Sequence, residues 1–301
     1  MKKIICIGEC AIDLVLDNAG NTLGAAPAGR IVNAAAALAC KGHNVIMASE
    51  TAADPIGQSI VDMLQKSGVD TKSIDRFTEG RTPINAYINN IGSSQMIRYE
   101  NYPPEAFDII WPRIDENDII LFGGFYTIDA RMRQRMYKLL IHASERKAIL
   151  VYLPGFPPQR EPRITRVMPQ ILENLEISNI VITRNDDLKI IFGTSNENDA
   201  FSNHISFYCP ALININPEDN SISFLSRKNS ERIKINGDNS KSITWQAAAV
   251  AGIVDFIANN DFSPKDCDSI SSQNANEILQ NALTFAANSE KQNIQSWKLN
   301  P

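Results

Sequence analysis

Four short stretches of this chain carry residue types and spacings that could do chemistry. The first is Gly8-Glu9-Cys10-Ala11-Ile12-Asp13, two acids just past an apolar run, Ile4–Gly8, that reads as the first strand. In open α/β sheets ligands bind at the carboxyl ends of strands, so the Asp13 carboxylate is placed to accept hydrogen bonds from ligand hydroxyls. A solvated turn is the competing account. The second stretch, Ala28-Gly29-Arg30-Ile31-Val32-Asn33, opens a helix. Gly29 permits close backbone approach, and Asn33, one turn in, presents an amide able to read a hydroxyl; an ordinary small-residue packing helix has the same pattern. The third, Ala53-Asp54-Pro55-Ile56-Gly57, is explained by a turn and a helix start, with Asp54 near the cap and Pro55 near the first position. The fourth, Asp238-Asn-Ser-Lys241-Ser242-Ile243-Thr244, sits where a loop should feed a helix, because Ala247 to Ala251 is a strong helix-forming run.

The bulk of the chain limits what these residues can serve. Its 301 residues fit one large domain or two small ones, and 44% hydrophobic content suffices for a real core. A net charge of −5 with no basic run argues against nucleic acid. The N-terminal Met-Lys-Lys-Ile-Ile-Cys-Ile-Gly reaches Glu9 and Asp13 after a short apolar run and reads as a strand, not a signal peptide. No stretch approaches the ~18 apolar residues of a membrane span. The five cysteines (6, 10, 40, 209 and 267) are scattered, without metal spacing, and read as free thiols of a reducing cytoplasm. His43, His142 and His204 fall in unrelated segments and carry no assigned role. Walker A, HExxH, GxSxG and CxxC patterns are absent.

Alternating elements must position the candidate residues. Ile4–Gly8, Asn44–Ser49, Ile119–Phe122, Ala148–Tyr152, Ile180–Thr183 and Ala211–Ile215 read as strands. Helical patterns cover Ile31–Lys41, Ile56–Ser67, Ala130–Arg146, Thr165–Leu175 and Asp186–Phe192. This alternation predicts a three-layer α/β fold with a mainly parallel sheet and crossover helices. Leu14–Ala25 and Thr82–Tyr102 break it with polar alternation and turn residues, the second as a hairpin turning near Gly92-Ser-Ser94. They are expected to form a small antiparallel sheet that acts as a lid on a single domain, residues 1–301.

Taken together, Gly8-Glu-x3-Asp13, Gly29-x3-Asn33, Asp54-x2-Gly57 and Ser67-Gly-Val-Asp-Thr71 occur in the order and spacing of the PfkB, or ribokinase-like, carbohydrate kinases. Thr82 after Gly80-Arg81, Phe122-Gly-Gly124 and Asp187-Leu-Lys-Ile-Ile-Phe-Gly193 extend the resemblance over nearly the whole chain. It is strongest through residue 90 and weaker after 150. The resemblance implies a ribokinase-like sandwich with a β lid at about 14–25 and 82–102. It also implies a pocket for a sugar or related polyol lined by Asp13, Gly29, Asn33 and Thr82, and a cytoplasmic protein that dimerises through its lid. Ala28 stands where the family usually has the first of two glycines.

The nucleotide half departs from the family at each motif. Leu153-Pro154-Gly155 replaces Asp-Pro-Asn, and Arg184-Asn-Asp-Asp187 replaces the magnesium-linked Asn-x-x-Glu. Asn214-Ile-Asn216 stands where a Thr-x-Gly strand end touches nucleotide phosphates. Lys241-Ser242-Ile243-Thr244 stands for Gly-Ala-Gly-Asp, whose backbone holds the transferring phosphate and whose Asp deprotonates the sugar. By alignment Arg184, Asp187, Asn214, Asn216, Lys241 and Ser242 are the nucleotide-side residues and Thr244 the catalytic position. A threonine hydroxyl is not a base near neutral pH, and losing a positioned base costs on the order of 10²- to 10⁴-fold in rate. Lys241 could bind a phosphate as a point charge, with Ser242 and Thr244 as hydroxyl donors; the favoured account is that Lys241 is solvated and Ser242 or Thr244 caps the helix. The expectation is a sugar-binding homologue whose ATP-dependent phosphotransfer is lost or very weak. The alternatives are a divergent active kinase, using ATP and Mg²⁺, and a purely structural partner. The tail, Gln292 to Pro301, is atypical of the family.

Overall fold

Short runs that are apolar at nearly every position belong in a sheet covered on both faces. The computed structural model, which describes residues 2–90, 93–104, 107–156, 163–235 and 242–291, places them there. The chain begins with β1 (Lys3–Ile7), β2 (Ile12–Leu16), β3 (Thr22–Pro27), α1 (Arg30–Cys40), β4 (Asn44–Ala52), α2 (Pro55–Lys66) and β5 (Ile74–Phe77). A hairpin, β6 (Arg81–Asn90) and β7 (Ser93–Asn101), leads to β8 (Ile119–Gly123), α3 (Arg133–Glu145), β9 (Ile149–Leu153), α4 (Met168–Glu176) and β10 (Ile180–Arg184). After α5 (Asn185–Phe192) and α6 (Glu197–Asn203) come β11 (Ala211–Asn216), β12 (Ser221–Ser226), β13 (Ser230–Lys234), α7 (Ile243–Asn259), α8 (Pro264–Cys267) and α9 (Ser272–Lys291).

The main sheet has the order β13-β12-β11-β10-β9-β8-β1-β4-β5. It is parallel from β11 through β5, with β12 and β13 added antiparallel. The period of two along β1 divides its side chains between two cores. Ile4 and Cys6 join the apolar cluster beneath α1, α2, α7 and α9, while Ile5 and Ile7 join the one beneath α3, α4, α5 and α6. Helices therefore cover both faces, as the alternation predicts.

Local signals hold several elements where the sequence placed them. Asp54 caps α2 by accepting the Gly57 N–H at 2.8 Å, with Pro55 at the first position. The helix expected from Ala130 begins at Arg133 instead. There the Asp129 carboxylate accepts the Arg131 N–H at 2.9 Å and holds the preceding residues in a turn.

The second sheet, β3-β2-β6-β7, is formed by the segments expected to make the lid, and is called the lid sheet below. It is not wholly antiparallel: β2 pairs with β6 in parallel, while β2–β3 and β6–β7 are antiparallel. The turn expected at Gly92 lies outside the described residues, as do Asp238, Lys241 and the tail from Gln292.

Candidate functional site

The strand order reverses around β1: β4 and β5 lie on one side, and β8 through β11 on the other. Such a switch point opens a crevice beyond the carboxyl ends of the strands. A cavity of about 680 Å³ lies there, within the range of small-molecule sites. Gly8 and Glu9 after β1, Gly123 and Gly124 at the end of β8, Gly155 after β9 and Arg184 closing β10 all line it. The lid contributes from β2, β6 and β7, and the first turns of α1 and α7 complete the wall. Gly29, with φ of 86°, caps α1 and turns the chain into it.

One end of the cavity is acidic. Register sets Asp13, Asn85 and Arg98 side by side across β2, β6 and β7. Asn85 Nδ2 donates to Asp13 Oδ1 at 2.8 Å, and Arg98 Nη1 donates to Asn85 Oδ1 at 2.6 Å. Arg98 then reaches out of the lid, with Nη2 2.5 Å from Glu9 Oε1 and Nε 2.5 Å from Glu100 Oε2. The Tyr102 hydroxyl donates to the same Glu9 oxygen at 2.7 Å. The guanidinium thus ties the lid to the end of β1. Burial pushes the Asp13 carboxyl above its ordinary value, against the opposing effects of the Asn85 hydrogen bond and the Arg98 charge.

The other end is basic. Asp187, three residues into α5, accepts the Arg184 N–H at 3.1 Å and so caps its own helix. Its Oδ2 also lies 3.0 Å from Arg30 Nη2 and 3.2 Å from Arg184 Nε, and its Oδ1 3.2 Å from Arg184 Nη2. Arg30 Nη2 donates to the Pro154 carbonyl at 3.0 Å as well, whereas its Nη1 is buried with no hydrogen-bond partner among the described residues. Burial would raise the Asp187 carboxyl, but the two guanidinium groups outweigh it and hold the group below the usual carboxylate range. Lys189 and Asp186 stand at the exposed rim. Between the two ends lies Tyr87 of β6. Its phenol is pushed up to about 12 by burial and by Asp13, while Arg98 and, less strongly, Arg184 act in the opposite sense.

The residues singled out from sequence do not all meet here. Asp13, Gly29, Arg184 and Asp187 line the cavity. Asn33 donates its amide to the Gly29 and Pro27 carbonyls, at 2.7 and 3.0 Å, and is not among the lining residues. Asn214 is buried in a chain of bonds, accepting from Thr183 Oγ1 at 3.0 Å and donating to Asn185 Oδ1 at 2.7 Å. Asn216 accepts the Glu218 and Asp219 N–H groups, both at 3.1 Å, and shapes the turn into β12. Ser242 caps α7, its Oγ accepting the Trp245 N–H at 3.4 Å. Ile243 and Gln246 of that helix line the cavity; Thr244 does not.

Thr82 is buried, and its hydroxyl donates to Asp54 Oδ1 at 2.7 Å and stands 3.1 Å from Thr51 Oγ1. It locks the lid strand to the cap of α2. Thr82→Val is accordingly expected to cost about 1–3 kcal/mol in urea unfolding while leaving ligand affinity unchanged. A loss of affinity at unchanged stability would return Thr82 to the ligand.

Glu9 belongs to the acid pair after β1 without an assigned role, and Arg30, Asn85, Tyr87, Arg98 and Gln246 are not among the residues that the sequence assigns to the site. Arg30 adjoins Gly29, and the polar alternation of 82–102 contains Asn85 and Arg98, but only the cross-strand register brings these two to Asp13. Asp187 does not fit a Mg²⁺ site, because both of its oxygens are engaged by guanidinium groups whose charge would repel a cation. Among the described residues no cluster of three or more His, Cys, Asp or Glu side chains could hold a metal ion.

The profile of the pfkB family carbohydrate kinases matches residues 1–205. No curated protein matches the chain significantly. Solved structures share the fold. Aminoimidazole riboside kinase from Salmonella enterica superposes with a TM-score of 0.78 at 15% identity, over 96% of this chain and 93% of its own. Fructokinase with bound ATP from Xylella fastidiosa gives 0.78 at 17% identity, over 98% and 95%. Fructokinase from Vibrio cholerae O395 in its apo form gives 0.80 at 13% identity, over 97% and 99%.

Proposed function

The chain belongs to the pfkB family of carbohydrate kinases, and from that premise we propose that it binds a sugar or related polyol while its ATP-dependent phosphotransfer is lost or very weak. The observation that carries this reading is the first turn of α7. The family resemblance puts a phosphate-holding glycine loop and a catalytic Asp there. In this chain Ser242 caps the helix, Ile243 faces the cavity, and a threonine occupies the position of the base. A helix start capped by its own hydroxyl offers fewer open N–H groups to a phosphate. Asn214 and Asn216, aligned with nucleotide contacts, spend their amides on internal bonds.

The sugar side keeps groups suited to hydroxyls. Asp13 and Glu9 are acceptors, and Asn85 is oriented by Arg98 and Asp13 from either side. Closure of the lid through the Arg98–Glu9 pair would exclude water from a bound ligand. A homodimer through the lid fits the exposed Leu23, Ile97 and Tyr99. A cytoplasmic location fits the free thiols, four of them buried, and no helix of the described residues is long and apolar enough to cross a membrane.

Two measurements test the proposal together. Thermal unfolding with a panel of hexoses, pentoses and their derivatives should show stabilisation by some members, about 2.7 kcal/mol at a hundred times Kd, unchanged by Mg-ATP. ADP release from Mg-ATP should stay at background for the native chain and for Thr244→Asp, since restoring the base restores neither the loop nor the magnesium ligand. Sugar-dependent turnover by the native chain would sink the proposal in favour of a divergent active kinase. Turnover gained by Thr244→Asp would show that only the base had been lost.

A further inference from the structure

We propose that the ligand of this cavity is an anionic sugar, one carrying a carboxylate or phosphate group, held with its hydroxyls at Asp13 and Asn85 and its anionic group against Arg30 and Arg184. The inference rests on reading the cavity as a sugar site and specifies what kind of sugar enters it.

The cavity is polarised. At the end formed by β10 and α1, two guanidinium groups share the single carboxylate of Asp187, whose side chain is 3% exposed. Arg30 is itself largely buried, at 12% exposure, and Arg184 is 29% exposed. One buried carboxylate cannot neutralise two guanidinium groups, and an uncompensated buried charge is costly unless another partner arrives. Asp186 is the nearest candidate on the same element; it raises the Arg184 guanidinium, yet it is exposed to solvent and is offset by Lys189 at the same rim. Arg30 lines the cavity, and among the described residues the charged partner of its guanidinium is Asp187 alone, beside the neutral Pro154 carbonyl. The adjoining helix start adds to the positive field, since the first turn of α1 has no acidic residue and its glycine cap has no side chain to accept an N–H.

The opposite end has the reverse balance. Arg98 answers Glu9 and Glu100 directly and reaches Asp13 only through Asn85. That end offers carboxylate acceptors for hydroxyl donors and repels an anion. Asp13 and Arg98 line the same cavity as Arg30 and Arg184, with Tyr87 also in its wall. A neutral sugar would satisfy the acidic end and leave the guanidinium excess unanswered. A simple anion would do the converse. A polyol with a terminal anionic group meets both.

The test is calorimetric titration of the full chain, without nucleotide, with hexoses, the matching hexonic acids and the matching hexose phosphates, with inorganic phosphate and Mg-ATP alongside. The expected result is at least one acid or phosphate binding about tenfold or more tightly than its neutral parent, with inorganic phosphate far weaker and Mg-ATP not competing. Whether carboxylate or phosphate wins separates the two anion sources. Arg184→Gln should weaken the anionic ligand roughly 10- to 100-fold and the neutral parent little. Arg184→Lys, which keeps the charge, should recover part of the loss, and serves if the glutamine variant folds poorly. Equal affinity for neutral and anionic members would overturn the inference and leave the sugar reading standing. Inorganic phosphate binding as tightly as any sugar, or Mg-ATP displacing the sugar phosphate, would overturn it in favour of a bare anion or nucleotide site. Binding of no sugar of either kind would remove both readings.

Discussion

Replacing Asp187 by alanine is expected to destabilise the folded chain by about 3–5 kcal/mol, read from urea unfolding, because it strands two guanidinium groups in a buried site. Three of its contacts come from Arg184 and one from Arg30, and the Arg184 N–H it accepts is a helix cap besides. Removing one partner of such a cluster costs more than the cluster contributes, since the remaining charges lose their compensation without regaining water. The effect carries a pH signature. The Asp187 carboxyl lies below its unfolded value in the folded chain. Its contribution is therefore fully present above the unfolded pKa, about 3.9, and is lost as pH falls through the folded value. The difference between native chain and variant should hold from pH 8 to about 5 and narrow below about 4. A loss under about 1 kcal/mol at neutral pH would mean that the arginines find other partners, and the polarised cavity would lose its main support.

Parts of this arrangement are legible in the sequence. β1, β4 and β8 through β11 follow from apolar runs too short for helices, and the lid segments from their polar alternation, whereas the edge strand β5, Ile-Asp-Arg-Phe, shows no such run. Less legible was α9, whose Asn- and Gln-rich face hides the spacing of Ala275, Ile278, Leu279, Ala282 and Ala286 that packs it against α7. The site was legible only where the backbone decides it. Asp13 follows the end of β1 and Gly29 opens α1, while Arg184 and Asp187, which the resemblance puts on the nucleotide side, stand at the turn from β10 into α5; all four line the cavity. The candidates that depended on side-chain direction went elsewhere. The Asn33 amide turns back to two carbonyls of its own turn, as Asn does readily, and the Thr82 hydroxyl finds the half-buried carboxylate of Asp54. Arg98 was invisible for a different reason. Its place beside Asn85 and Asp13 depends on the pairing of β2 with β6 and β6 with β7, and a slip of one residue would send it to the outer face.

Gly123→Ala should be the most damaging single methyl at the site. Gly123 ends β8 opposite Leu153 of β9, and a Cβ built on it would lie 1.9 Å from the Leu153 carbonyl oxygen and 2.6 Å from its carbon. Those atoms are backbone in a central strand, so no rotamer change can relieve the contact. Either β9 moves or β8 does. The same Leu153 oxygen accepts the Gly124 N–H at 2.8 Å, and the next carbonyl, Pro154, accepts from Arg30 at 3.0 Å. Displacing β9 therefore breaks the wall of the cavity and disturbs the arginine that its basic end requires. The expected outcome is a loss of about 3 kcal/mol in urea unfolding together with loss of ligand-induced stabilisation. A variant with the native unfolding midpoint and unchanged ligand binding would show that the two strands can part by more than an ångström without cost. The cavity would then be shaped by its loops and not by the sheet that carries them.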